Sequence, residues 1–515
     1  MKIIFSLKPY EIEDMNYNIR EVVEEATKYS FKDVAIMVTA IYKWNDPLPF
    51  FAEHEYLIQI LSEVCKEESD VAPTILDVAK MIRKTYFNTN AKYNPVRNHE
   101  VNANLDLSEF VLQTTQQSSY AVFNPDSSTR LMLYLYDRYL KFDELLEEKL
   151  GFTIKELLRF VRYISEHYHL KLSSYFNWFS PYSNKRDESS RGQLSLPPSD
   201  FVASLKEGVT FDLDSNNFLS QRNNRPILSF LTGSREKFAI NNYSFRRWSF
   251  LPINNNKVVL LEPDRLVNTL LTAIHLGLLE TLSEAENGEY LRKFGADFEN
   301  ITSDIFNKEP GFLSTARKKY SPRLGDIDVE VEMGNDLIII QCKSNALIKK
   351  NIWLTPQSFR DFLQDSVFKG ASQAKETYAN HPKKDRIKFT FIVVEAGIFE
   401  LLALQTHDEE LKSILTGLPN PIVISYFDLR YLLRFLGKTG LPDYVEWRTK
   451  FLNSVLAFSP GNELSLLRFY FRMKESGELE KALVFHRGNI VAEFGDLPIN
   501  DLADILILDK KLEIL

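Results

Sequence analysis

Apolar residues recur at three- and four-residue spacing through most of the first 185 positions. "YNIREVVEEATKY", "EHEYLIQILSEVCKEE" and "PTILDVAKMIRKTYF" each set one apolar stripe on a helical period. "LMLYLYDRYLKFDELLEEKLGFTIKELLRFVRYISEHYHL" carries the same spacing past Gly151. No fixed-period repeat runs through these segments, so a solenoid has no support. They predict a large, mainly helical N-terminal domain over residues 1–185. "PYSNKRDESSRGQLSLPPSD", residues 181–200, is polar, charged and broken by proline, which marks a boundary or a long loop.

Residues 186–286 then read as linker, hairpin and helix, the hairpin turning across Asn254–Asn256. From about residue 287 the pattern alternates between helix and strand. "NGEYLRKFGADFENITSDIFNK" and "TPQSFRDFLQDSVFKGASQAKETYANH" carry helical spacing, and "FLSTARKKYS" and "RIKFTFIVVEA" read as strands. "NPIVISYFDLRYLLRFL" is a strand running into a helix. These elements set off a domain over 287–430. Residues 431–515 follow as a mainly helical C-terminal region, with a hairpin expected around "ALVFHRGNIVAEF".

The densest signal is "GDIDVEVEMGNDLIIIQCKS", residues 325–344. It predicts two strands joined at Gly334–Asn335, because glycine at the first central position suits a type II′ turn. Met333 then faces Asp336, Asp328 faces Gln341, and Asp326 faces Lys343. Side chains alternate with period two, so Asp328, Gln341, Asp326 and Lys343 share one face near the end of the hairpin. Ile327, Val329, Val331, Ile338 and Ile340 take the other face as core. Two carboxylates, an amide oxygen and an ammonium at one place suit Mg²⁺ or Mn²⁺ and a phosphate, since hard cations take oxygen ligands. The plainer reading of Glu330 and Glu332 is a solvated strand face.

Composition narrows the setting. The net charge of −8 gives no global basic field, so a nucleic-acid site has to be local. Residues 343–388 carry ten basic side chains against four acidic, a net +6 that includes Lys349 and Lys350 as candidate substrate contacts. Arg317, Lys318, Lys319 and Arg323 add to this basic character just before the hairpin. Cys65 and Cys342, the only cysteines, exclude a disulfide framework and fit a reducing cytoplasm. No window approaches the ~20 apolar residues of a membrane span, so no membrane partner is expected.

"GDIDV…DLIIIQCKS" resembles the hairpin of the PD-(D/E)xK nuclease superfamily, in its Mrr-like, NERD-like and Holliday-junction-resolvase-like branches. The resemblance covers roughly residues 287–430 and implies an α/β restriction-endonuclease-like core, a central mixed sheet flanked by helices. By position it implies Asp328 as the metal-binding aspartate, Gln341 in place of the usual acidic residue, and Lys343 as the family lysine. It implies the backbone carbonyl of Cys342 as a metal ligand and Glu299 as the acidic residue on the preceding helix. Gln373 matches a glutamine on the following helix. The implied activity is Mg²⁺-dependent cleavage of nucleic acid, DNA before RNA, with defence against foreign DNA as a family-level role. A non-catalytic binding protein on the same fold is the alternative, because Gln341 removes one negative charge. A homo-oligomer, and a regulatory partner bound through the N-terminal region, are both compatible with this organisation.

Three other signals do not hold. "GKT" at 437–439 lacks the upstream glycine and the preceding strand of a phosphate loop. His167 and His169 lack further ligands nearby. "FRRWSF" reads as a half-buried aromatic strand.

Overall fold

The computed structural model describes residues 17–44, 57–58, 61–82, 128–173, 196–234, 248–320, 326–344, 356–395, 401–454, 463–475 and 507–512, apart from single positions within them. The expected hairpin near residue 482, Lys349, Lys350 and Arg323 lie outside these. The described chain forms two compact units. One takes residues 17–82, 128–283 and 507–512, and the other takes 284–475.

The first unit is mainly helical, as the apolar spacing predicts. Its labelled helices are α1 (Tyr17–Ala26), α2 (Phe31–Trp44), α3 (Ser128–Tyr139), α4 (Asp143–Leu150), α5 (Ile154–Leu172), α6 (Ser199–Val209), α7 (Asn224–Leu231) and α8 (Leu266–Thr281). Gly151 ends α4 with φ +81, and Thr153 two residues later opens α5 with a reciprocal Thr153–Glu156 capping box. Strands β1 (Thr210–Asp212), β2 (Phe250–Asn254) and β3 (Lys257–Leu260) form a small antiparallel sheet in the order β1-β3-β2. The Asn254–Asn256 turn therefore falls where the sequence places it.

Helix α8 is apolar on nearly every side, and Leu266, Leu270, Ile274 and Leu278 are all fully buried. Such a helix belongs at the centre of a unit, not on its surface. His275 is buried among them, and burial, with the nearby Arg138 charge, pushes its imidazole down to about 3.

The second unit is built on one five-stranded mixed sheet. Its helices are α9 (Glu284–Asn307), α10 (Pro356–Leu363), α11 (Lys369–Asn380), α12 (Leu401–His407), α13 (Glu409–Leu415), α14 (Tyr426–Ser454) and α15 (Glu463–Glu475). Its strands are β4 (Leu313–Lys319), β5 (Asp326–Met333), β6 (Asp336–Lys343), β7 (Ile387–Val394) and β8 (Pro421–Ser425). They lie in sequence order, antiparallel from β4 to β6 and parallel from β6 to β8. The antiparallel steps need only turns, whereas each parallel step needs a crossover, and α10–α11 and α12–α13 supply them. β7, "IKFTFIVV", pairs on both edges and, past the exposed Lys388, is buried on both faces, which accounts for its apolar end from Phe391 to Val394.

Helix α9 packs on one face of this sheet and α11 on the other. Ser303 of α9 meets Ser314 of β4 at 2.7 Å. On the opposite face Tyr378 of α11 covers Leu337, Ile339 and Ile387. A single π-helical turn, Gln364–Phe368, joins α10 to α11. Beyond the sheet, Arg448 of α14 makes a two-pronged pair with Glu463 at the start of α15, at 2.7 and 2.9 Å, and both side chains are buried. The "GKT" positions sit inside α14, where Gly437 (φ +57) kinks the helix.

No helix among the described residues is long and apolar enough to cross a membrane.

His275 makes the first unit sensitive to acid. Its folded-state value lies below the ordinary 6.5, so the unfolded chain binds the extra proton. Stability is therefore present above pH ~6.5 and drains away as pH falls toward ~3. Between pH 7 and pH 5 the loss through this one group is about 2 kcal/mol. Melting curves of wild type and His275→Gln at the two pH values check this: the fall in melting temperature should shrink in the variant.

Candidate functional site

The hairpin follows the register read from its turn. Gly334 has φ +69 while Asn335 stays in the ordinary region, as a type II′ turn requires. The pairs run from Met333↔Asp336 to Val329↔Ile340. Ile327, Val329, Val331, Ile338 and Ile340 are all fully buried on the α9 face. The expected opposition of Asp328 to Gln341 and of Asp326 to Lys343 lies beyond the last of these pairs. There a side chain takes over from the ladder: Asp328 Oδ2 accepts the Cys342 backbone N–H at 2.8 Å. Within a strand the N–H and C=O of one residue leave on the same side. The Cys342 carbonyl thus faces the β5 side, where the Asp328 carboxylate lies. Asp326 opens β5, in register with Lys319 of β4.

Lys343, the last residue of β6, crosses the face covered by α11. Its Nζ donates to Gln373 Oε1 at 2.6 Å. Its stem passes so close to Gly370 that an added Cβ would meet Lys343 Cε at 3.1 Å and Ile392 Cγ2 at 3.0 Å. Glycine at this position allows the close approach. Burial pushes the Lys343 ammonium down, against the pull of Asp328 and Glu299. Gln341 is buried, and its amide nitrogen points to Thr377 Oγ1 of α11 at 3.5 Å.

Glu299 comes from α9 and reaches the same end of the hairpin. Burial, and then the Asp328 charge, push its carboxyl up to about 7. Arg317 of β4 opposes that shift through an ion pair, Nε to Glu299 Oε2 at 2.8 Å. Asp328, Glu299, Lys343 and Gln373 therefore come together, although these residues span 75 positions of sequence.

Two expectations need correcting. The first is Glu330, whose expected solvated face is instead covered. Glu330 is 1% exposed and accepts hydrogen bonds from Lys318 Nζ (2.5 Å), Tyr320 OH (2.7 and 2.9 Å) and His381 Nε2 (2.9 Å). His381 Nδ1 accepts the Lys383 backbone N–H, which leaves the ring proton on Nε2, toward Glu330. Burial alone would raise the Glu330 carboxyl, but the bonds from His381, Lys318 and Tyr320 outweigh it and hold it down to about 2. Glu332, next along the strand, does keep 38% of its side chain in solvent.

The second correction concerns the basic residues before the hairpin. Lys318 is spent on Glu330, and Arg317 is spent on Glu299 and on the Ala296 carbonyl at 2.6 Å. Neither is an uncommitted member of a basic groove. Arg317 also has φ +51. A left-handed backbone costs a non-glycine residue about 1–2 kcal/mol. An ion pair with 43% and 21% of its side chains exposed returns no more than about 1 kcal/mol.

Sequence reasoning missed Tyr320, His381 and Thr377, which lie in no local motif. Glu395 was also missed. It is buried, and its N–H donates to the Lys343 carbonyl at 3.0 Å.

Among the described residues no three His, Cys, Asp or Glu side chains converge as a ready-made metal cage. The oxygen donors at the hairpin end are the carboxylates of Asp328 and Glu299, the Cys342 carbonyl and the Gln341 amide. Such a set fits Mg²⁺, which keeps several waters and takes only one or two protein carboxylates beside a phosphate. Comparison with protein-family models, with curated proteins and with solved structures finds no match for the chain.

The burial of Glu330 separates two otherwise similar substitutions. Glu330→Ala leaves the buried His381 and the Tyr320 hydroxyl without their acceptor and should cost about 3 kcal/mol. Glu332→Ala should stay within about 0.5 kcal/mol. Denaturant melts of the two variants, side by side, check the contrast.

Proposed function

We propose that this protein is a divalent-metal-dependent nuclease that hydrolyses phosphodiester bonds of DNA, with the second unit as a restriction-endonuclease-like domain. The observation that carries the proposal is the meeting of Asp328, the Cys342 backbone, Lys343 and Glu299 at the open end of the β5–β6 hairpin. The order of elements supports it: one helix, three antiparallel strands, a helical crossover, then a parallel strand. Defence against foreign DNA is the role suggested by the resemblance of the hairpin.

Each side chain has a place in that chemistry. Asp328 and Glu299 would hold Mg²⁺ or Mn²⁺, with the Cys342 carbonyl and, after a rotamer change, the Gln341 amide oxygen. Such an ion supplies Lewis-acid neutralisation of phosphoryl charge. The raised carboxyl of Glu299 fits the same role, because burial, and then the nearby Asp328 charge, disfavour its ionised form until a cation joins them. Lys343 presents an ammonium where charge develops on the attacked phosphate. Gln373 holds that ammonium in place, and α11 with Gly370 excludes water from its stem.

A second reading has one observation in its favour. Gln341 stands where a carboxylate would hold the metal more tightly, and it turns its amide nitrogen to Thr377. A nucleic-acid-binding protein without cleavage would need no more charge than this.

A cleavage time course on plasmid, single-stranded DNA and RNA, with melting curves, separates the readings. Wild type should cut with Mg²⁺ or Mn²⁺ and stop in EDTA. Asp328→Ala and Lys343→Ala should both abolish cutting with small changes in melting temperature, since the Asp328–Cys342 bond is worth about 1 kcal/mol. Gln341→Glu should retain or raise activity. Either alanine variant cutting at the wild-type rate overturns the proposal. Binding of DNA with no cleavage in either metal establishes the second reading.

A further inference from the structure

Arg317 is expensive for its position. Its backbone lies in the left-handed region at φ +51, which glycine or asparagine would occupy more easily. The half-exposed pair with Glu299 and the bond to the Ala296 carbonyl together return about as much as that backbone costs. Arginine at residue 317 therefore brings little net stability, and what it does bring is a guanidinium at a set place.

The strained backbone has a geometric result. Ser314, three residues earlier, bonds to Ser303 on the α9 side, and strict alternation would send residue 317 to the opposite face. Arg317 instead reaches Ala296 and Glu299 on α9, and Lys318 reaches Glu330 on the opposite face. The guanidinium is thereby brought to the open end of the hairpin, beside Glu299. Glu299 in turn feels the charges of Asp328 and Lys343. Arg317 keeps 43% of its side chain exposed, and a guanidinium has five N–H donors in a flat fork that matches phosphate. Nε and Nη2 are engaged inside the protein.

We propose that Arg317 is a substrate-positioning residue that binds a backbone phosphate next to the scissile one, with Glu299 as its resting partner. The inference rests on the nuclease reading of this site. When nucleic acid enters, the Arg317 fork exchanges a carboxylate for a phosphate of like geometry, and Glu299 is released to the metal side. The left-handed backbone is then explained by the placement it enforces.

The test uses the full chain and three proteins: wild type, Arg317→Asn and Arg317→Lys. Asparagine tolerates the left-handed backbone and removes the charge, and lysine keeps the charge and loses the fork. Binding of a labelled DNA duplex is measured across a salt series with Ca²⁺ in place of Mg²⁺, beside melting curves. Arg317→Asn should bind several-fold more weakly, with a salt slope lower by about one. It should melt close to the wild-type temperature, because relief of the strain offsets the lost pair and hydrogen bond. Arg317→Lys should keep the slope and lose part of the affinity. Wild-type affinity and slope in Arg317→Asn overturn the proposal. So does a lower melting temperature in Arg317→Asn with no change in slope, which marks a structural strut. If the wild type itself binds no nucleic acid in any salt, the nuclease reading falls first and this inference falls with it.

Discussion

A carboxylate with almost no exposure to solvent sets the terms for the second unit. Removing Glu330 from water is costly, and the fold answers with three donors from three different places. Lys318 comes from β4, Tyr320 follows that strand, and His381 caps the far end of α11. Satisfying one charge thereby ties the edge strand, the central hairpin and the covering helix into one body. Two residues along the same strand lies Asp328. The open end of the hairpin inherits a fixed frame from a group that lies outside the cluster there.

The covering helix is pinned at both of its ends by the hairpin strands. His381 holds its C-terminal end to β5, and Gln373 with Gly370 holds its first half to Lys343 on β6. The π-helical turn at Gln364–Phe368 lies just before this stretch. One extra residue in a helical turn rotates everything after it, which is one way to bring Gly370 and Gln373 onto the Lys343 face. The parallel β6–β7 pair adds the remaining support, through the Glu395 N–H on the Lys343 carbonyl. A lysine whose backbone, stem and ammonium are each held has little conformational freedom left.

Much of this was readable in the chain. The Gly334–Asn335 turn and the alternation of Asp326, Asp328 and Glu330 sufficed for the register of the hairpin, because a period of two leaves only one way to bury Val329, Val331 and Ile340. The helical first unit followed from periodicity, whereas the mixed pairing of the sheet was an expectation of the hairpin's resemblance. Glu330 was misread because nothing local distinguishes a buried acid from a solvated one. Its partners stand 10, 12 and 51 residues away. Arg317 was opaque for a different reason: left-handed backbone is signalled by glycine or asparagine, and arginine carries no such sign. Gln373 was ambiguous on a helix face until Lys343 was placed beside it.

The two cysteines give the molecule an internal reporter pair. Cys65 lies in the first unit and Cys342 in the second, and both are buried with their sulfurs unbridged. A thiol reacts with an alkylating reagent only after it meets solvent as thiolate, and burial keeps the Cys342 thiol well above its usual range. Labelling in native conditions therefore clocks how often each unit opens. With one thiol per unit, mass spectrometry of two peptides reads two opening rates from a single sample. The chain thus records whether its halves unfold together or apart, without any introduced probe.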